Sequence, residues 1–145
     1  MEVKTIWLID DDPMNNVFNS YLIEEHFPGI RTECFLFAGD AIKELSKFPR
    51  YRKLPDLIFL DISMPVISGW EFLDVCLERF PGLKHKTTIY MLSSSEHIND
   101  VKKAAEHSLV SGYLSKPLKP EFLLELIRKS KEKSFAQRSV SLISK

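Results

Sequence analysis

This sequence of 145 residues has no net charge, only two cysteines and no long apolar run. Lys and Arg together number 20, as do Asp and Glu, so the chain lacks the basic excess typical of proteins that bind nucleic acid. Its two cysteines, Cys34 and Cys76, lie within apolar patterns, which is typical of small core residues in a reducing compartment. No apolar run approaches the ~18 residues of a membrane span, and the first residues lack a signal peptide's apolar segment. We therefore expect a cytoplasmic protein with no nucleic-acid or membrane partner.

The length and composition of the chain fit one folded domain. A chain of 145 residues can bury one full core and is too short for two ordinary domains. It is 44% hydrophobic and 28% charged, which is within the globular range. Residues 134–145 include four serines and show no clear periodicity. We predict a domain over residues 1–133, followed by a tail or a helix extension over 134–145.

Strand-like and helix-like segments alternate five times along the chain. Apolar runs predict strands at 5–9, 31–37, 57–60, 88–92 and 112–115. Each run is followed by apolar residues at helical spacing, which in the first helix are Met14, Val17, Phe18, Tyr21 and Leu22. Right-handed crossovers then require a parallel sheet with helices on both faces. The sequence predicts a doubly wound α/β fold of three layers, with five strands and five helices.

Chemically active side chains follow four of the five predicted strands. They are the acids 10–12 after the first strand, Asp61 after the third, the serines 93–95 after the fourth and Lys116 after the fifth. Because the carboxyl ends of parallel strands meet at one edge of a sheet, we expect these groups to share a crevice there. Clustered carboxylates shift their pKa values or recruit a cation, and hard oxygen ligands suit Mg²⁺. Such a crevice could support phosphoryl transfer with a carboxylate as nucleophile.

Individually, these residues also have ordinary structural interpretations. Asp61 could simply cap a turn or the next helix, and Asp12 before Pro13 is a good helix N-cap. Serines after a strand often cap loops, and most lysines are solvated. All four groups follow successive strands, and this shared placement favours one functional site over a separate structural role for each group.

The chain resembles the receiver domain of two-component response regulators over residues 4–133. The resemblance rests on Leu-Ile-Asp-Asp-Asp-Pro (8–13), Leu-Asp-Ile-Ser-Met-Pro-Val-Ile-Ser-Gly (60–69), Met-Leu-Ser-Ser (91–94) and Gly-Tyr-Leu-Ser-Lys-Pro (112–117). The second segment fits the family pattern Asp-x-x-Met-Pro-x-x-x-Gly at every fixed position. The resemblance implies a flavodoxin-like sheet of strand order 2-1-3-4-5, in a stand-alone receiver of the chemotaxis-Y type.

The resemblance also implies roles for the residues at the strand ends. Asp61 would accept a phosphoryl group from a phosphohistidine on a sensor histidine kinase or a histidine phosphotransfer protein. Asp11 and Asp61 would bind Mg²⁺ directly, the backbone carbonyl of Ser63 would be a third ligand, and Asp10 would act chiefly through water. Lys116 would bind the phosphoryl group, and its peptide bond to Pro117 would be cis.

A conformational switch is implied as well. Ser93 would move toward the phosphoryl group, and Tyr113 would turn from solvent into the space it leaves. The surface formed by the fourth helix, the fifth strand and the fifth helix would then change shape for a downstream protein. On this interpretation the protein signals by binding rather than as an enzyme, as a monomer or a weak phosphorylation-dependent dimer. Small serines at positions 63 and 95 leave the lifetime of the phosphoryl group open.

Three other functions compete with this interpretation. A haloacid-dehalogenase-like phosphatase would use Asp10 as nucleophile and Asp12 as general acid, but it would not need Asp61. A flavodoxin-like cofactor binder would need a Ser/Thr/Gly-rich first loop, and the acids 10–12 would repel a phosphate there. A receiver-shaped interaction module that is never phosphorylated would not need the intact set of Asp10, Asp11, Asp61, Ser93 and Lys116.

Overall fold

The computed structural model describes residues 2–50, 52–94 and 97–131. The strands are Thr5–Ile9 (β1), Arg31–Phe35 (β2), Leu57–Leu60 (β3), Thr88–Ser93 (β4) and Val110–Ser115 (β5). The helices are Pro13–His26 (α1), Ala38–Leu45 (α2), Gly69–Arg79 (α3), Leu83–Lys86 (α4), Ile98–Glu106 (α5) and Pro120–Lys131 (α6). The predicted domain end at 133 and the tail 134–145 lie outside the described residues. None of the described helices is long and apolar enough to cross a bilayer.

The five strands form one parallel sheet of order β2-β1-β3-β4-β5. This confirms the predicted doubly wound fold. The pairing register sets Ile9 beside Leu60, Leu60 beside Met91, and Ser93 beside Ser115. The residues that follow these strand ends therefore emerge at the same edge of the sheet. The single-turn helix α4 is additional to the five predicted helices, because its one buried apolar residue, Leu83, gives no periodic signal.

Two apolar cores lie on opposite faces of the sheet. Helices α2, α3 and α5 cover one face, where buried residues such as Trp7, Ile58 and Phe72 pack together. Helices α1 and α6 cover the other face, around buried residues such as Leu8, Phe59 and Leu126. Strand β3 is buried along its whole length, as its uninterrupted apolar run predicts.

Helix α1 turns the opposite face to the sheet from the one its apolar stripe predicts. Four residues of the stripe are exposed: Met14 by 69%, Val17 by 62%, Phe18 by 51% and Tyr21 by 64%. The buried residues are Asn16, Asn19 and Ile23. Asn16 Nδ2 donates hydrogen bonds to the carbonyl oxygens of Asp10 at 3.0 Å and Phe35 at 3.5 Å. These bonds to the backbone fix the rotation of α1, and a stripe counted by hydrophobicity alone does not contain them.

The two cysteines differ in their surroundings. Cys76 on α3 is fully buried, as predicted. Cys34 lies on β2, a strand at the edge of the sheet, and is exposed, so its prediction as a core residue is wrong. None of the residues of β2 is fully buried, because a strand at the edge of the sheet has few neighbours to cover it.

Arg52 ties the connector before β3 to the sheet. Its guanidinium donates to Glu44 on α2 at 2.5 Å and to Glu33 on β2 at 2.6 Å. It also lies over the ring of Trp7, 5.1 Å from the ring centroid. One planar cation thereby links an edge strand, a helix end and a core aromatic residue.

Candidate functional site

Three carboxylates converge at the carboxyl ends of β1 and β3. Asp10 and Asp61 follow these neighbouring strands and are only 5% and 6% exposed, while Asp11 is exposed. One carboxylate oxygen from each of the three residues lies within 4.8 Å of the other two. Since an ionised carboxylate only accepts hydrogen bonds, the cluster calls for a cation or for proton uptake.

The backbone holds Asp61 from both sides. Its amide donates to the Ile9 carbonyl at 2.9 Å, and its own Oδ1 accepts from the Ile62 amide at 2.9 Å. The loop between β3 and α3 then returns, and the Gly69 amide donates to the Ile62 carbonyl at 2.8 Å. A methyl group on Gly69 would overlap the Asp61 carbonyl oxygen and lie 3.0 Å from Ile62 Cα. The close approach of two backbone segments therefore requires glycine at this position.

Lys116 is the cation that lies nearest the cluster among the described residues. Its Nζ is 2.7 Å from Asp10 Oδ2 and 3.6 Å from Asp61 Oδ1. Its backbone amide donates to the Ser93 carbonyl at 2.9 Å, which joins the ends of β4 and β5. The peptide bond between Lys116 and Pro117 is cis, as the family resemblance implied, and a second cis bond joins Phe48 and Pro49.

Burial and charge shift the protonation of this site. Burial and the charge of Asp10 raise the pKa of Asp61 to about 6, although Lys116 and the Ile62 amide act in the opposite direction. Burial alone would lower the pKa of Lys116, but its hydrogen bond to Asp10 and the charge of Asp61 outweigh that effect and raise it. The ammonium is therefore charged at neutral pH, and Asp61 changes its charge near pH 6.

The remaining predicted residues lie around this edge in different settings. Ser93 ends β4 and is 2% exposed, whereas Ser63 lies exposed in the loop after β3. Tyr113 on β5 is 3% exposed and packs with Met91 in the core covered by α5. The ring is thus already inside the protein, which differs from the predicted position in solvent. Ser95 lies outside the described residues.

Asp12 does not belong to the carboxylate cluster. Its side chain accepts a hydrogen bond from the Met14 amide at 2.9 Å and so caps α1, as Asp12-Pro13 predicted. Its own amide donates to Asp10 Oδ1 at 2.9 Å. Asp12 therefore orders the turn that carries Asp10.

Two buried asparagines next to the site were missed from the sequence. Asn16 and Asn19 line a narrow crevice between α1 and the sheet, together with Asp10 and Asp61. Asn16 supports the Asp10 carbonyl, and its Oδ1 has no hydrogen-bond partner among the described residues. The available signal was the spacing of Asn16, Asn19 and Ile23, which places all three on one helix face.

A family model for the response regulator receiver domain matches residues 6–128, and the chain belongs to this family. It is thus the receiver domain of a two-component response regulator, a phosphoacceptor signalling family whose members work with a histidine kinase or phosphotransfer partner. The nitrate/nitrite response regulator protein NarL of Escherichia coli K12 is 34% identical over 129 residues, which are 89% of this chain and 55% of NarL. The chain spans about half the length of this curated relative.

Solved structures agree with this assignment. The crystal structure of a two-component response regulator from Cytophaga hutchinsonii is 31% identical, has a TM-score of 0.85, and is matched over 92% of this chain and 100% of that one. A CheY-like receiver domain protein from Methanospirillum hungatei JF-1 is 23% identical, has a TM-score of 0.73, and is matched over 92% and 98% of the two chains. The second likeness supports the fold alone.

Proposed function

We propose that this receiver domain accepts a phosphoryl group on Asp61 in a Mg²⁺-dependent reaction. The observation that carries the proposal is the position of the Lys116 ammonium, 2.7 Å from Asp10 and 3.6 Å from Asp61. A buried carboxylate beside a fixed cation is suited to attack an electrophile that arrives with negatively charged oxygens. The donor would be a phosphohistidine on a histidine kinase or a histidine phosphotransfer protein.

The donor set of the site fits Mg²⁺. Asp10, Asp11 and Asp61 bring three oxygens within 4.8 Å of one another, and Mg²⁺ prefers a few carboxylates together with water and phosphate oxygens. We assign these three residues to the ion, and propose the Ser63 backbone carbonyl as a further ligand. The chemistry that Mg²⁺ supplies when bound is neutralisation of charge on the phosphoryl oxygens.

The residues of the chain divide the transfer step among them. An Asp61 carboxylate oxygen attacks phosphorus, so that a P–O bond forms while the P–N bond to the donor imidazole breaks. The imidazole nitrogen keeps the electron pair of the broken bond and takes up a proton from solvent water. Lys116 leaves Asp10 for a phosphoryl oxygen, and the Ser93 hydroxyl at the end of β4 donates to another.

Phosphorylation of Asp61 would be transmitted through Ser93 and Tyr113 to the surface of α5, β5 and α6. Tyr113 lies buried beside Met91, so we propose that phosphorylation stabilises this inward position of the ring. Tyr113→Ala should leave labelling of Asp61 intact while removing the change in amide hydrogen exchange of residues 98–115 upon phosphorylation. A full exchange response in the variant would disprove the role of Tyr113. Action as a stand-alone signalling protein rather than as an enzyme stays a prediction.

Intact-mass measurement after incubation with acetyl phosphate and Mg²⁺ tests the proposal. The wild type should gain one phosphoryl group, and Asp61→Asn should gain none. Asp12→Asn is the matched control, because it removes one charge from the same edge yet preserves a good helix cap, and it should still be labelled. Labelling that persists in Asp61→Asn but is lost in Asp10→Asn would favour the phosphatase instead.

The phosphatase alternative has less support from the geometry. It needs Asp12 as a general acid beside Asp10, but the Asp12 side chain caps α1 and lies outside the carboxylate cluster. Steady turnover of p-nitrophenyl phosphate that depends on Asp12 would revive it.

A further inference from the structure

Asn16 is a polar residue buried beneath α1 at the edge of the candidate site. Only 3% of its surface is exposed. Its Nδ2 donates to the Asp10 carbonyl oxygen at 3.0 Å and, over a longer distance of 3.5 Å, to the Phe35 carbonyl oxygen. The side-chain amide can turn only its nitrogen to these oxygens, because its own oxygen has no proton to donate and would be repelled. Asn16 thus joins the first helix to the ends of β1 and β2.

The acidic turn of residues 10–12 is held by Asn16 at two points. The side chain bonds the Asp10 carbonyl oxygen, and the Asn16 backbone amide donates to the Asp12 carbonyl oxygen at 3.3 Å. Within the part of the chain that the structure describes, no other group donates to the Asp10 carbonyl oxygen. Loss of the Asn16 side chain would therefore release the main chain of the first acid.

The main chain of Asp10 sets the direction of its carboxylate. Oδ1 accepts from the Asp12 amide at 2.9 Å, and Oδ2 lies 2.7 Å from Lys116 Nζ. Hydrogen bonds weaken steeply once their angle falls below about 120°, so a small displacement of the backbone disturbs both contacts. The same displacement would spread the carboxylate oxygens of Asp10, Asp11 and Asp61, which now lie within 4.8 Å of one another.

The other half of the Asn16 amide indicates a role beyond stability. Its Oδ1 is buried and has no hydrogen-bond partner among the described residues. A buried oxygen without a partner costs free energy, which an apolar side chain of the same size would not. The crevice that Asn16 lines also contains Asp10 and Asp61. A polar residue that costs stability beside such groups is typical of functional sites, where geometry takes precedence over stability.

We propose that Asn16 is a positioning residue of the acceptor site, which holds the main chain of Asp10 so that its carboxylate faces Lys116 and the other two acids. The proposal rests on the proposed function and adds to it a residue that acts only through Asp10. Asn16 takes no part in the transfer step itself. Its removal should therefore weaken Mg²⁺ binding and slow phosphoryl transfer without unfolding the protein.

Asn16→Leu in the full chain is the main test, because leucine has a similar size and no polar atom. It removes the unpaired Oδ1 but leaves the Asp10 carbonyl oxygen unpaired instead, so the melting temperature should change by less than about 5 °C. Isothermal titration calorimetry should show Mg²⁺ binding at least about tenfold weaker. Labelling by acetyl phosphate at saturating Mg²⁺ should be at least about tenfold slower. Asn16→Ala serves if the leucine variant does not fold.

A measurement without metal or phosphoryl donor reports on Asp10 directly. The Asp12 amide donates to Asp10 Oδ1, so its solvent exchange, measured by NMR in EDTA, follows the position of that carboxylate. Exchange should be at least about threefold faster in Asn16→Leu than in the wild type. If the wild type is not labelled at all, the proposed acceptor function fails, while Mg²⁺ affinity and Asp12 exchange still decide the role of Asn16.

Ser20→Ala is the matched control on the same helix. The Ser20 hydroxyl oxygen lies 2.8 Å from that of Thr32, so this change also removes a hydrogen bond between α1 and β2. It does not touch the acidic turn. Mg²⁺ affinity, labelling rate and Asp12 exchange should each change by less than about twofold.

A double variant tests whether Asn16 acts through Asp10. Asp10→Asn alone should weaken Mg²⁺ binding, because it removes a carboxylate from the cluster. Adding Asn16→Leu should then change the Mg²⁺ affinity by less than about a further twofold, since the carboxylate that Asn16 positions is already absent.

Three results would overturn the proposal. The first is a folded Asn16→Leu whose Mg²⁺ affinity and labelling rate equal those of the wild type. The second is an equal loss of Mg²⁺ affinity in Ser20→Ala, which would assign the effect to the docking of α1 in general. The third is a full tenfold loss on adding Asn16→Leu to Asp10→Asn, which would show that Asn16 acts by a route other than Asp10.

Discussion

Asp61 is ionised at neutral pH at a cost in folding free energy. It is buried beside Asp10, and together these effects raise its pKa to about 6 from an ordinary value of 3.8. Lys116 compensates only in part, because its ammonium lies closer to Asp10 than to Asp61. A carboxylate whose pKa is raised by burial and by a neighbouring charge is common at functional sites.

Asp61→Asn should therefore stabilise the protein at neutral pH in metal-free buffer. The folded state binds the Asp61 proton more tightly than the unfolded chain, so its contribution to stability is present below about pH 4 and is lost as the pH rises through about 6. We expect the variant to be more stable by about 1–2 kcal/mol at pH 7.5 and nearly equal to the wild type at pH 4. Urea unfolding in EDTA at the two pH values measures both differences.

Asp12→Asn is the control that separates the effect of burying the Asp61 charge from the effect of the net charge at this edge of the sheet. It removes the same charge from an exposed cap and should change stability by less than about 0.5 kcal/mol at either pH. An equal gain from both substitutions would show that overall repulsion, and not the burial of Asp61, sets the stability.

The sequence located the charged residues of the candidate site better than the residues that support them. Asp10, Asp61 and Lys116 each directly follow a strand, and parallel topology places all three at the same edge of the sheet. Asn16 could not be found in this way, because its role depends on two backbone carbonyls that only the fold brings beneath α1. The inward position of Tyr113 likewise depends on packing against α5 and not on any pattern in β5.

The loop between β3 and α3 is shaped by one close backbone contact. Gly69 begins α3 and lies directly against the Asp61 carbonyl, while Ser68 caps the helix through the Glu71 amide at 3.2 Å. Val66 in the same loop has a positive φ of 69° and is 93% exposed, which is a strained conformation for a β-branched residue. Backbone hydrogen bonds at Asp61 and the close contact at Gly69 therefore fix the beginning and the end of this loop.

Gly69→Ala should displace the backbone of Asp61. The added methyl group overlaps backbone atoms, which cannot rotate away, so we expect a loss of about 2–3 kcal/mol in stability and slower labelling by acetyl phosphate. Thermal unfolding and intact mass measure the two effects.

Gly39→Ala is the matched control on α2. Its nearest neighbour would be Ile67 Cδ1 at 4.0 Å, an ordinary contact, and alanine is the better helix former. We expect stability to stay the same or to rise by up to about 1 kcal/mol, with labelling unchanged. Equal losses from both glycines would rule out the close contact as the cause.

At the scale of elements, hydrophobic patterns predicted which segments form strands and helices but not how each is turned. Strand β3 was predicted correctly because both of its faces are buried, so the prediction did not depend on which face packs against the core. Helix α1 offered two possible faces, and hydrogen bonds from Asn16 decided between them. Strand β2 ends at Phe35 and not at Phe37, because the chain must turn there into α2.

The whole molecule has one apolar core on each face of a single sheet. The two cysteine thiols differ in how far these cores bury them. Cys76 is fully buried and burial raises its pKa to about 12, whereas Cys34 is exposed on the edge strand. Since the thiolate is the nucleophile, the burial of Cys76 and its raised pKa both slow its reaction with an alkylating reagent.

Iodoacetamide should therefore modify the native protein once, at Cys34, with Cys76 reacting only through unfolding. Peptide mapping against time in native buffer and in urea measures both rates. Rapid native labelling of Cys76 would show that the core beneath α3 opens without global unfolding.

Strand β3 is enclosed on all four sides, by β1 and β4 at its edges and by an apolar core on each face. Its amides can meet solvent only when the sheet itself comes apart. Asp61, the proposed acceptor, directly follows this strand and is thus anchored to a segment that we expect to open last. If Asp61 is modified as proposed, the accompanying motion must arise in the loops and helices around that anchor, while the anchor itself keeps its place.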